Sequence, residues 1–532
     1  MNILSGTSRH VPTVVAYRVR RGIDELAMLG AATFGALVIA FFALGSPYPG
    51  FSVAATLYMV GVAVILAKPR MGAYLLIFLA VVGEPETMPW YPFNKNGSSA
   101  ESILFVDDRL VASPYEGYIL ITLVAILLHR FRSGEPLRVA TPYTMPLLLL
   151  AGAIFLALAW GVVTGGTVSI AINQTRMLLV LPFVYLIMIN LLDRRTIRTA
   201  LWVLLWAIVV ESGFVLHHIF FALSSGERAT LFDSGASPVT HSSAVQYNLV
   251  LFGLAAVALL RNSRLTLRLL LPVFAIPVGT VYVIAECRAA VGALLIAAAL
   301  LMYVLARRQP GRFWLVAPTA GTFFAAYCAA FWNSTSSAAF PVQAIKGQVV
   351  DDSGTTDAAS DLYRVIENFN LLATVQTNPL LGTGFGKPFL TPIPLPDISS
   401  AFALWQFFPH NSLLQLWASG GILSLAAYLY LAYAGVRGGT KASLEAKDPW
   451  DVIMAMVGMA AVVMVTIYSY FDISFDNQTM MLFTLGLVFI ALVQRGIDDD
   501  AEAEAGSEDP SSGVDLRDSA SHSRRQRRHV GV

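Results

Sequence analysis

The sequence predicts an all-α fold: a polytopic transmembrane helical bundle of about 12–14 spans, with one long extracytoplasmic loop that carries short helices. Three observations carry this expectation. Of the 532 residues, 56% are hydrophobic and only 13% are charged, whereas a soluble globular protein carries about 25% charged residues. Many apolar runs reach the ~20 residues that cross a bilayer. Arginine and lysine are concentrated in alternating loops, the pattern of a chain that crosses a membrane repeatedly. The net charge of +1 identifies no partner, because the distribution of charge matters more than its sum.

In chain order, the apolar runs centre near 27–45, 51–67, 71–83, 115–129, 144–163, 174–192, 199–223, 244–260, 269–285, 291–306, 313–331, 411–436, 452–470 and 479–494. One alternating set of connections is basic. It holds Lys68 and Arg70; Arg130, Arg132 and Arg138; Arg194, Arg195 and Arg198; Arg261, Arg264 and Arg268; Arg307, Arg308 and Arg312; Arg437 and Lys441. With Arg18, Arg20 and Arg21 of the segment 1–26, these positions are expected in the cytoplasm. Both termini are then cytoplasmic. The N-terminal basic stretch leads straight into a span and shows no cleavage pattern. The opposite side receives two large loops, about 84–114 and 332–410. The tail 496–532 is low in apolar content, with an acidic run "DDDAEAEAGSEDP" and a basic "SRRQRRHV", and is expected to be disordered. Cys287 and Cys328 fit no metal or redox spacing and read as small residues in helix packing.

Cations on the outer side run against the charge rule. Arg176 in "AINQTRMLLVLPF" starts the sixth span, where it reads either as an anion ligand or as a headgroup anchor. Arg228 in "SSGERATLFDSGAS" is a ligand or a loop residue paired with Glu227 or Asp233. Arg288 in "VIAECRAAVGALL" lies between two apolar runs, where a charge is costly unless paired or facing water. It either points into a wet cavity and binds an anion, or snorkels to headgroups or pairs with Glu286. Arg364 falls on an expected amphipathic helix at about 360–377, whose apolar positions Leu362, Val365, Ile366, Phe369 and Leu372 keep the helical period. Asp361 and Glu367 offer Arg364 a local ion pair. Several guanidinium forks on one side of a membrane suit a phosphate or diphosphate.

Two motifs follow. In "TNPLLGTGFGKPFL", Asn378-Pro379 stops the helix, and Gly382, Gly384 and Gly386 allow a tight turn. Dinucleotide binding is rejected, because the glycines follow no strand and open no helix. In "FALWQFFPHNSLLQLWASGGI", His410 has the chemistry of a general base near neutral pH, and equally reads as an interfacial residue. Asn411 is placed to cap the next helix. Gly420 and Gly421 permit close helix contact.

The order of these pieces resembles the O-antigen ligase and O-antigen polymerase superfamily of bacterial membrane glycosyltransferases. The carriers are R-x-x-x-F-D from Arg228 to Asp233, C-R-A from Cys287 to Ala289, N-P-L-L-G-T-G-F-G from Asn378 to Gly386, and H-N-S-L-L-Q-L-W-A-S-G-G from His410 to Gly421. The resemblance covers about 174–436, taken as the catalytic region, between a transmembrane region 27–173 and C-terminal helices 437–495. It implies a metal-independent, inverting transfer of glycan from an undecaprenyl-diphosphate-linked oligosaccharide to a glycan, lipid or protein acceptor. The expected setting is the outer face of the bacterial plasma membrane. It implies His410 as the catalytic base and Arg228 and Arg288 as diphosphate ligands, with Arg176 and Arg364 as weaker matches. Asp233, Asn411 and Gly384 are expected in support, Asn411 as a helix cap. Membrane lipids are expected partners; nucleic acid and cofactors are not. The family often has Ser-Arg-Gly where this chain has Cys287-Arg288-Ala289.

A transporter or flippase for a lipid-linked glycan is the competing reading. It predicts charges at mid-membrane and inverted repeats; Glu211, with His217 and His218, is its main support. A sensor or scaffold has only the large outer loop in its favour.

Overall fold

A computed structural model of the chain describes residues 50–107, 109–228, 237, 239–260, 265–334, 336–346, 356–399 and 402–507. The expected span at 27–45, Asp233 and the tail beyond Ser507 lie outside the described residues. The helices, in chain order, are α1 (Phe51–Ala67), α2 (Pro69–Val82), α3 (Pro114–Ser133), α4 (Thr144–Val163), α5 (Val168–Leu191), α6 (Thr196–His217), α7 (His241–Leu260), α8 (Leu265–Ile284), α9 (Arg288–Arg308), α10 (Pro310–Phe331), α11 (Phe340–Lys346), α12 (Thr356–Thr377), α13 (Ser412–Glu445), α14 (Pro449–Phe471) and α15 (Asn477–Ser507). No strand occurs among the described residues.

Nine of these helices are long and apolar enough to cross a membrane. α1 and α2 are shorter, 17 and 14 residues, or roughly 26 and 21 Å against a hydrocarbon core of about 30 Å. α3 is not among the nine because Arg130 and Arg132 occupy its last turn and Glu116 its first. Two expected boundaries are corrected. α13 runs to Glu445, so Arg437 and Lys441 are helical rather than in a loop. α15 continues to Ser507, through the start of the stretch expected to be disordered. The reason is ionic: Asp500 takes Arg194, which also holds Asp451, and Glu504 takes Lys447.

The chain divides into two compact units, Met1–Leu137 with Ala200–Ser243, and Arg138–Thr199 with Ala244–Val532. In the first, Tyr118 of α3 stacks on Tyr58 of α1 at 4.3 Å and donates to the Tyr58 carbonyl. Glu84 accepts the backbone N–H of Glu86, Thr87 and Thr240, tying the turn after α2 to the end of this unit. Burial pushes its carboxyl up. Glu211 is fully buried and accepts from the Ser243 hydroxyl at 3.1 Å.

In the second unit α14 is almost wholly buried among α9, α13 and α15. α10 has no buried residue, and Trp314, Leu315 and Phe323 stand outward. In water such a helix would be unsupported; in hydrocarbon it is at rest.

The feature that positions the site is a break in α13. Gly421 has φ 69° and ψ 178°, which frees carbonyls from the helix ladder, and such groups must find other donors. The glycine loop supplies them. Thr383 N–H donates to the Ala418 carbonyl at 2.8 Å and Gly384 N–H to that of Ser419 at 3.0 Å, while Ile422 N–H donates to the Pro379 carbonyl at 3.0 Å. Gly382, Gly384 and Gly386 all have φ between 73° and 88°, the region glycine adopts without strain. Gly384 rests on the backbone of Gly161 in α4, where neither residue leaves space for a Cβ.

Candidate functional site

The site is built on one polar stripe of α12: Asp361, Arg364 and Glu367, three residues apart on adjacent turns. The local ion pairs among them that the sequence allows do not form. Each residue instead serves a different neighbour. Asp361 accepts both forks of Arg288, at 2.8 and 3.0 Å. Arg364 faces Asp472 at 3.6 Å. Glu367, only 1% exposed, accepts the backbone N–H of His410 at 2.9 Å and approaches its Nδ1 at 3.2 Å.

His410 stands at the mouth of α13, with its side chain 29% exposed. A carboxylate only accepts, so Glu367 fixes the neutral ring as the Nδ1–H tautomer and leaves Nε2 free of that bond. Burial pulls the imidazolium down, but the Glu367 carboxylate, with Asp472 adding and Arg364 opposing, brings the net shift above the ordinary histidine value. The Tyr363 ring meets the imidazole edge-on at 5.7 Å. Its hydroxyl is buried with no hydrogen-bond partner among the described residues. Burial, then Glu367, push that phenol up to about 12, so it remains a donor at neutral pH.

Asn411 is the N-cap of α13: its side chain accepts from Leu414 N–H at 3.0 Å, and its amide donates to Asn368 at 3.1 Å. Arg288 is the first residue of α9, next to a positive helix end that favours anions. The Asp361 carboxylate sits there, where a phosphate oxygen would also be favoured. The neighbour Glu286, a suggested partner of Arg288, has φ 47°, unusual for a non-glycine residue. Cys287 caps α9 without a side-chain bond, where the serine of the family pattern would offer a good acceptor.

Three positioning residues were not singled out in the sequence. Gln174 of α5 donates to the Phe407 carbonyl at 2.6 Å and accepts Gly386 N–H at 2.7 Å. It thus joins the glycine loop to the chain just before His410. Gln415 donates to the same carbonyl at 2.7 Å. Ser412 donates to the Asp472 carbonyl and accepts from Ser474 N–H, holding the 472–474 turn against the start of α13. Gln174, two residues before Arg176, and Gln415, inside the expected span 411–436, carried a signal: an amide in a span is costly unless bonded.

The structure thus brings Arg288, Arg364, His410 and Asn411 to one stripe of α12, with Gly384 in the loop behind. Arg176 is half-buried on α5. Arg228 lies in the first unit, where its guanidinium donates to the Leu223 carbonyl and lies over Phe220. Glu227, a suggested partner, instead exchanges hydrogen bonds with Ser224. Asp476 caps α15 through Thr479.

Residues 272–429 match the family model described as O-antigen ligase. The matched stretch runs from within α8 to the first half of α13, and takes in Arg288, α12, the glycine loop and His410. Arg176, Arg228 and Asp233 fall outside it. No match to a curated protein is found. Together with the nine long apolar helices, the domain makes this an integral membrane protein with a role related to polysaccharide biosynthesis.

Proposed function

Taking the O-antigen ligase domain at residues 272–429 as premise, we propose that the chain is a glycosyltransferase. It moves or polymerises glycan from an undecaprenyl-diphosphate-linked donor at the extracytoplasmic face of the bacterial plasma membrane. The side is argued from the basic loops, which put His410 opposite the cytoplasm. The observation that carries the chemistry is the buried Glu367 carboxylate bonded to His410 at its backbone N–H and Nδ1.

In the step, the acceptor hydroxyl oxygen attacks the anomeric carbon from the face opposite the diphosphate. The new C–O bond forms as the bond to the diphosphate oxygen breaks, and that oxygen leaves with the electron pair. The hydroxyl proton passes to His410 Nε2, and Glu367 stabilises the imidazolium. Arg288, exchanging Asp361 for phosphate oxygens, and Arg364 balance the charge growing on the leaving group. Tyr363 offers its unpartnered hydroxyl to the glycan.

The test is reconstitution in vesicles with a polyprenyl-diphosphate-linked oligosaccharide. Release of polyprenyl diphosphate with a matching gain of glycan on an acceptor is the expected result. Transfer of the intact lipid-linked glycan between leaflets, with no bond broken, would replace this reading with transport. In the same assay Arg288→Ala is expected to lower turnover roughly 10²-fold. Arg288→Lys should recover only part of that, since it keeps charge and loses the fork; full recovery would argue against paired phosphate contacts.

Glu367→Gln separates positioning from packing. A base must be neutral, so activity rises with pH as His410 loses its proton, at a pH above the ordinary histidine value. Removing the carboxylate removes the main cause that raises it and leaves burial, which lowers it. The acid limb of the pH–rate profile is therefore expected to move to lower pH, with a reduced plateau. An unmoved limb would deny Glu367 this role.

A further inference from the structure

α12 buries polar side chains and exposes a stripe of apolar ones. Its buried face is largely polar: Glu367, Asn370 and Thr374 are each no more than 1% exposed, beside the apolar Leu371 and Val375, which pack on Phe389 and Ala418. Asn370 exchanges both its amide groups with the Ile393 backbone, and Thr374 accepts Leu390 N–H. One apolar stripe points away from the protein, with Leu362 at 60%, Val365 at 65%, Phe369 at 51% and Leu372 at 43% exposure. In water, four large apolar side chains on one helix face would be an unsupported patch, while the buried polar face would gain nothing over solvent.

The chain that follows says what covers this face. Leu380 and Leu381 continue the exposed apolar surface, and their backbone lies against Gly421. Gly421 is nine residues beyond Ser412, about 13 Å down the axis of a helix that is long and apolar enough to span the membrane. The segment after α12 therefore packs well below the mouth of α13, alongside a helix of spanning length and hydropathy.

We propose that the Leu362–Val365–Phe369–Leu372 face of α12 is seated in the acyl chains of the leaflet on the His410 side of the membrane. The helix expected to lie in a soluble loop is then an interfacial helix. Its inner stripe lines the site and its outer stripe faces lipid. A lipid-borne substrate would approach this helix sideways from the leaflet. The inference rests on burial and on the Gly421 contact, so it stands or falls separately from the reaction.

The test uses the full chain with Cys328→Ser, leaving the buried Cys287, in vesicles of phosphatidylcholine and phosphatidylglycerol. Val365→Cys, Phe369→Cys and Leu372→Cys are spin-labelled one at a time, with Asp397→Cys as the solvent-exposed comparison. Collision with oxygen, which concentrates in hydrocarbon, is compared with collision with a water-soluble nickel chelate. The expected result is an oxygen-to-nickel accessibility ratio several-fold higher at 365, 369 and 372 than at 397. A ratio equal to that at 397 would place the face in water and overturn the proposal. Low accessibility to both agents would also overturn it, showing a second copy or another protein over the face.

Discussion

His410→Ala is expected to lower glycan transfer roughly 10²–10⁴-fold, the usual contribution of a positioned general base, while the protein still reaches the membrane. The substitution also leaves Glu367 without its imidazole partner. Glu367 is 1% exposed, and an orphaned buried polar group costs about 1–3 kcal/mol. Its bond to the residue 410 backbone N–H remains, so partial loss of stability is expected rather than loss of the fold. His410→Asn keeps a donor for Glu367 and removes the base. It should recover the thermal midpoint without recovering transfer. The readout is transfer per molecule of protein, with a melting midpoint in detergent beside it. Near-normal transfer by either variant would remove His410 from the step. In cells, a stalled lipid-linked repeat unit would point to polymerase, and unattached full-length polymer to ligase.

Gly384→Ala should have the largest effect on the fold. At φ 88° an alanine is strained, at about 1–2 kcal/mol. Its Cβ would also collide with the Cα of Gly161, backbone that cannot rotate away, and overpacking of that kind costs about 1–3 kcal/mol. The loop would lift from α4 and loosen the donors it gives to Ala418 and Ser419. The expected result is a drop of roughly 2–5 kcal/mol in stability, read as a lowered midpoint, with weakened transfer because the same loop is bonded through Gln174 to the Phe407 carbonyl. Gly161→Ala should act similarly, and the double variant should cost less than the two together, since both break one contact. An unchanged midpoint in Gly384→Ala would show that the loop is not the clamp described.

The pairing of His410 with Glu367 was hidden in the sequence. Glu367 lies 43 residues before His410, and on α12 it reads as a partner for Arg364 three residues away. Local spacing favours that pair. The fold favours another, because Arg364 turns to Asp472 and leaves the carboxylate to the imidazole. The same holds for Arg288: Glu286 is two residues off, yet Asp361, 73 residues on, takes its fork. Asn411 was legible because a cap is a local device, complete within four residues.

By itself the sequence marked the long apolar helices from residue 51 onward, though not the ends of α13 and α15. Hydropathy and length suffice where the solvent is hydrocarbon and the backbone must satisfy itself within each segment. It also marked Arg288, because an ionisable group between apolar runs is costly enough to stand out, Arg364 as a cation on the outer side, and His410 by its general-base chemistry. The tertiary structure alone decided which acid serves which cation and where α13 breaks to receive the glycine loop. It also decided that α12 turns Glu367, Asn370 and Thr374 inward and leaves Leu362, Val365, Phe369 and Leu372 outside. Those are contacts between segments far apart in the chain. Their energies depend on approach and burial, and neither is written in the periodicity of a single helix.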